Sequence, residues 1–253
     1  MSPLNEPGQS TLENRIRVRP MTWSHVYRDH WGTHVTAMES LAEHRRLEIE
    51  ATSTVERTPL PEPNGSAGWG ALADSTLADR SYEWLMDSVR THPGPGLLEL
   101  ATPLRDEASP RDAAHVLCER IRAAMTYERG VTGVKDSGEE ALAQGHGVCQ
   151  DFAHIAVGAL RHVGVPARYV SGYLAPTSDG EVGGTSEGES HAWVEYWDGA
   201  WLPIDPTNGT AVGEEHVVVA RGRDYADVPP FKGVYSGRGV ADLAVSVKFT
   251  RLA

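Results

Sequence analysis

The chain has 253 residues with 23 Lys and Arg against 35 Asp and Glu, a formal net charge of −12, which argues against a nucleic-acid partner or any other polyanion. At 40% hydrophobic and 23% charged residues the composition is that of a globular protein, and the length allows one large domain or two small ones. No apolar run approaches the ~18 residues of a membrane span, and the N-terminus lacks a basic-then-apolar leader, so the expected location is the cytoplasm, with no membrane partner.

The first sixty residues read as strands. From His44 to Arg57, Leu47, Ile49, Ala51 and Val55 alternate with polar residues, which predicts one buried and one wet face. Arg15–Arg19 and His34–Met38 are shorter extended pieces expected to pair with it. The Pro- and Gly-dense stretch 59–65 then marks a boundary. From Asp74 to Arg90, Leu77, Trp84, Leu85 and Val89 recur at helical spacing. A second helix starts at the capping residue Ser109 with Pro110 in its first turn, and Ala113, Leu117, Ile121 and Ala124 follow on one face. Cys118 lies beside that stripe and reads as a packing thiol.

Ser137-Gly-Glu-Glu140 is a capping box opening a short helix that stops at Gly145. The next helix begins at Cys149, presents Phe152, Ile155, Ala156, Ala159, Leu160 and Val163 on one face, and ends at Gly164. Tyr169–Leu174 reads as a strand. A loop rich in Gly, Ser, Asp and Glu, residues 176–190, includes Asp179, Glu181, Glu187 and Glu189 and reads either as a lid or as a plain surface loop. It leads to a hairpin in which His191–Trp197 and Trp201–Asp205 flank Asp198-Gly199. His216–Ala220 and Leu243–Phe249 are two further strands.

Cys149 falls in the first turn of its helix, where unpaired backbone N–H groups and the positive dipole end favour a thiolate. A nucleophilic thiol needs a base, and the base needs a group that fixes its tautomer. His191 opens one hairpin strand and Asp205 closes the other. A two-residue loop would put their side chains on opposite faces. A three-residue loop, Asp198 to Ala200, pairs 197 with 201 and 193 with 205 and puts them on one face as diagonal neighbours. The second register, or a bulge near Pro203 with the same result, is expected.

Four blocks, Gly147-Val-Cys-Gln-Asp-Phe-Ala-His154, Gly164-Val-Pro-Ala-Arg-Tyr-Val-Ser-Gly-Tyr173, His191-Ala-Trp-Val-Glu-Tyr196 and Asp205-Pro-Thr207, resemble the core of the transglutaminase-like superfamily. Tyr27-Arg-Asp-His-Trp-Gly32 and Gly222-Arg-Asp-Tyr-Ala-Asp-Val-Pro-Pro230 resemble signatures of its bacterial members. The resemblance implies an α+β, papain-like core whose nucleophile-bearing helix packs on an antiparallel sheet, with a small N-terminal β-domain. The expected layout is a β-domain over 1–60, truncated relative to the family; a linker and helical segment over 61–108; and a catalytic core with C-terminal strands over 109–253. It implies a Cys149, His191, Asp205 triad that acts on a peptide or protein amide through a thioester. Water or an amine acceptor would complete the reaction, and hydrolysis is favoured over crosslinking. The rival reading is a non-catalytic peptide- or protein-binding module on the same fold.

The Cys149 backbone N–H is the expected oxyanion donor, with Tyr127 and Gln144 as candidates for the second; His146 and Gln150 are further candidates for substrate contact. Arg223, Asp224, Tyr225 and Asp227 either meet substrate or fix a turn. Eleven histidines raise a metal site, but His30 with His34 and His154 with His162 lack the convergent partners it needs. No metal or cofactor is expected.

Overall fold

The computed structural model describes residues 1–59, 65–130, 133, 136–176, 182–237 and 242–252. Most of the boundary stretch at 59–65, and Asp179 and Glu181 of the acidic loop, lie outside the described residues.

Residues 9–57 form two separate antiparallel ribbons. Strand β1 (Gln9–Arg19) pairs with β4 (Glu48–Arg57), with Ile16 opposite Ala51 and Val18 opposite Ile49. Strand β2 (Trp23–Arg28) pairs with β3 (His34–Glu39). The expectation that the His34–Met38 piece would join β4 is therefore corrected. So is the buried face of β4: Leu47 and Ile49 are 40% and 38% exposed, because no described element covers that side of a two-stranded ribbon.

Helices α1 (Gly68–Leu72), α2 (Ser75–Arg80), α3 (Tyr82–Leu85) and α4 (Pro95–Ala101) follow, with a 3₁₀ turn at Thr102–Asp106. The single helix expected from Asp74 to Arg90 is broken. Asp74 caps α2 through the N–H of Thr76, but the carbonyls of Trp84 and Met86 accept from the buried Arg161 guanidinium and so leave the helical ladder. Helix α5 (Pro110–Ala124) starts where expected, with Ser109 accepting from the Asp112 N–H.

Strand β5 (Thr126–Tyr127), helix α6 (Gly138–Gln144), strand β6 (His146–Gly147) and helix α7 (Cys149–His162) lead into the site. The capping box of Ser137 and Glu140 is present, and Gly145 ends α6 at φ 75°, a left-handed position that favours glycine. Gln150 to Arg161 are all buried. The single apolar face expected for α7 understates it: the helix is enclosed by α4, α5, α6 and the sheet.

That sheet contains β7 (Ala167–Leu174), β8 (Thr185–Trp197), β9 (Trp201–Ile204), β10 (His216–Gly222) and β11 (Val247–Thr250), all antiparallel, in the order β10-β7-β8-β11, with β9 on β8. Part of the expected acidic loop is strand, since Thr185–Gly188 pairs with β11 and Glu189–Ser190 with β7. The main core lies between α7 and this sheet and takes in Leu97, Leu117, Ile121, Phe152, Leu160, Tyr196 and Val219. Arg161 in its midst donates to Trp84, Met86, Ala167 and Arg223 carbonyls and to the Thr91 hydroxyl, which ties four segments to one helix. Among the described residues no helix is long and apolar enough to cross a membrane.

Candidate active site

Cys149 is the first residue of α7, half-buried and free as a thiol. Its turn is held at both ends. The Asp151 carboxylate reaches back to accept the Val148 N–H at 2.8 Å, while β5 and β6 pin the preceding residues through Thr126 N–H to Gly145 and Glu128 N–H to Gly147. A Cβ on Gly147 would lie 2.6 Å from the Asp151 carboxylate oxygen, so the capping arrangement requires glycine there. As the first residue of α7, Cys149 carries one of the backbone N–H groups that have no partner inside the helix.

The β8–β9 hairpin has the three-residue loop. Trp197 pairs with Trp201 and Val194 with Ile204, the Asp198 N–H donates to Ala200 at 2.9 Å, and Gly199 sits at φ 86°. Its Asp198 carboxylate is anchored by the Ser66 hydroxyl and the Ala67 N–H. His191 and Asp205 consequently share a face, with Nε2 of the imidazole 2.8 Å from Oδ2. The same oxygen accepts the Asn208 side-chain amide at 2.8 Å, and Oδ1 accepts the backbone N–H groups of Thr207 and Asn208.

Burial alone would make His191 harder to protonate, but hydrogen bonds to Asp205 and to Cys149, and their charges, push it up to about 9. With Nε2 on Asp205, the other ring nitrogen is left for the sulfur. Burial likewise opposes the Asp205 charge, and donors led by His191 hold its carboxyl far below the usual carboxylate range. Cys118, by contrast, is buried and pushed up to about 12, chiefly by burial. It packs in the core as expected.

The structure thus brings Cys149, His191 and Asp205 together. Tyr127 stands nearby and half-exposed, because Tyr127 pairs with Gly147 across β5 and β6. Burial pushes its phenol up, and the charge of Cys149 adds to that, against the pull of Arg129. Gln150 is buried in the first turn and His146 half-buried in β6. Gln144 is exposed at the end of α6. Asp227 accepts from the Arg223 N–H and guanidinium, and Asp224 from the Ala226 N–H, so both carboxylates fix the turn after β10.

Sequence reasoning missed Asn208 and Trp193, whose ring stacks on His191 at 6.1 Å. For Asn208 the available signal is an amide side chain three residues past the Asp in a Pro-containing turn. Among the described residues, His191, Asp205 and His216 offer ligand atoms all within 4.8 Å of one another, but a cation would have to displace the His191 proton, which its raised affinity resists.

The helix-borne thiol, the buried imidazole–carboxylate pair and the sheet beneath them define the class of protein. Residues 99–206 match the model of the transglutaminase-like superfamily and residues 1–56 that of the bacterial transglutaminase-like N-terminal region. A candidate cysteine protease from Cytophaga hutchinsonii superimposes with a TM-score of 0.73 at 21% identity over 99% of this chain and 78% of that one. An uncharacterised protein of Mycobacterium leprae is 41% identical over all of this chain and 91% of its own length. A protein-glutamine gamma-glutamyltransferase of Pseudomonas aeruginosa is 29% identical over 63% of this chain and 26% of its own length. The chain belongs to the transglutaminase-like superfamily and carries its bacterial N-terminal region.

Proposed function

We propose that the protein is a cytoplasmic cysteine-dependent amide hydrolase or acyltransferase that works through a Cys149–His191–Asp205 triad. The observation that carries this reading is a single imidazole shared between a buried carboxylate and a thiol at a helix N-terminus. The Cys149 thiolate attacks the amide carbonyl, and its backbone N–H stabilises the oxyanion, with Tyr127 placed to assist. His191 gives its proton to the departing amine or ammonia as the C–N bond breaks, leaving a thioester. An incoming water or amine then loses a proton to His191 as it attacks, and the thiolate leaves. The substrate is a peptide or protein amide.

Of the two outcomes, hydrolysis is the one we favour. The name of the Pseudomonas relative supports transamidation as the second reading. Incubating the protein with a glutamine peptide and a labelled primary amine separates the two: ammonia release without label supports hydrolysis, and efficient amine incorporation with little hydrolysis overturns it. The triad itself is tested by the pH dependence of Cys149 alkylation, read by mass spectrometry with Cys118 as internal control. Rapid labelling well below pH 8.5 that slows in His191→Ala is the expected result. Labelling no faster than a free thiol, and indifferent to His191, would favour a binding module.

A further inference from the structure

One buried titratable side chain faces the site with no role in the mechanism above. His216 opens β10, is 3% exposed, and holds Nε2 3.5 Å from Asp205 Oδ2, the oxygen that already takes the His191 proton and the Asn208 amide. Its Nδ1 accepts the Gly213 backbone N–H at 3.2 Å. A ring nitrogen that accepts carries no proton, so neutral His216 is the Nε2–H tautomer, with its proton on the nitrogen that lies 3.5 Å from Asp205. At 3.5 Å the approach is a charge–dipole contact and not a formed hydrogen bond, and Nε2 has no hydrogen-bond partner among the described residues. The ring cannot drift. It meets Trp193 edge-on at 5.2 Å, and two residues along the strand Gln9 grips both the N–H and the carbonyl of Val218.

We propose that His216 is a positioning residue that shares the charge of Asp205 and thereby limits how firmly His191 holds its proton. The inference rests on the triad reading. A carboxylate oxygen that faces a second N–H is a weaker acceptor for the first, and a general acid works best when its proton is neither lost early nor held too tightly. The charged and titratable groups facing His191 are Cys149 from α7, Asp205 from the end of β9 and His216 from β10; Asn208 adds a neutral donor. Loss of the His216 N–H leaves Asp205 pulling harder on His191, so its midpoint rises. Loss of Asp205 lowers it. General loosening of the site would lower it in both variants, which makes the direction diagnostic.

The test is long-range ¹H–¹⁵N NMR of the histidine rings in the full chain across pH. The wild type should show His216 as the Nε2–H tautomer. His216→Leu should raise the His191 midpoint by about half a unit to one unit, a roughly three- to tenfold tighter proton. His216→Gln, whose amide N–H occupies the place of Nε2, should return it to the wild-type value, and in Asp205→Asn the His216→Leu change should add nothing. Should the leucine variant fail to fold, His216→Asn, too short to reach Asp205, reads the same loss. An unchanged or lower midpoint on losing the donor, or an Nδ1–H tautomer in the wild type, overturns the inference while leaving the triad intact. A wild-type His191 that titrates near 6.5 and ignores Asp205→Asn overturns the triad reading itself.

Discussion

Asp205 is fully buried and charged, a state that costs several kcal/mol unless every lone pair is occupied. Its donors come from the turn that follows it as well as from His191, so the local sequence Asp205-Pro-Thr-Asn208 is part of the site and not a simple strand end. Asn208→Ala removes one donor and exposes Oδ2 to an unfilled gap. We expect a loss of about 1–2 kcal/mol in urea unfolding, together with slower Cys149 alkylation. The raised His191 affinity has its own signature in stability. Its folded-state value of about 9 lies above the unfolded 6.5, so its contribution is complete below pH 6.5 and disappears as pH rises through 9. Unfolding midpoints measured from pH 6 to 10 should fall between about pH 6.5 and 9 in the wild type and fall less in His191→Ala.

At the scale of elements, the hairpin loop decides whether the site exists. Deleting Ala200 forces a two-residue loop, shifts β9 by one residue and turns Asp205 to the opposite face. It also takes Leu202 and Ile204 out of the core. The expected result is a poorly folded protein with no activated thiol. Gly199→Ala is the milder companion: at φ 86°, with Ala67 3.2 Å from the new Cβ, it should cost about 1–2 kcal/mol and leave alkylation per folded molecule unchanged. A register-independent site would give equal alkylation rates in both folded fractions.

The same scale shows what could be read from the sequence. Caps are local chemistry, so Ser109, Ser137, Gly145 and Gly164 mark helix ends correctly, and the triad residues sit on elements whose periodicity and turn chemistry are strong. The stop of α3 at Leu85 was illegible because Arg161, about eighty residues further on, takes the Trp84 and Met86 carbonyls that would have continued the helix. Strand β2 was equally hidden. Its six residues are all exposed, and alternation carries no information where neither face is buried. The Thr185–Ser190 end of β8 is rich in Gly, Ser and Glu, and becomes strand through pairing with β11 and β7.

Over the whole molecule, burial is uneven. The core around α7 and the sheet is dense, whereas the N-terminal ribbons leave Leu12, Trp23, Val26 and Leu41 more than half exposed. Among the described residues, several links join the ribbons' leading residues to the sheet, including the Leu4 N–H donated to the Val218 carbonyl. Glu6 pairs with Arg221, which with Arg168 neutralises the buried Glu195, and Gln9 bridges Leu4 to Val218 on β10. Few buried contacts and open edges mean that the ribbons should open at lower free energy than the core. Amides of β2, β3 and β4 should exchange with deuterium well before those of α7 and β7. Gln9→Ala leaves the Val218 N–H buried and unpaired, a loss of about 1–3 kcal/mol, and should speed exchange along β10 as well as in the ribbons. Because β10 also carries His216, that variant should disturb Cys149 reactivity from a residue that touches neither substrate nor triad; alkylation unchanged from wild type, with β10 exchange accelerated, would show that the strand can loosen without the site feeling it.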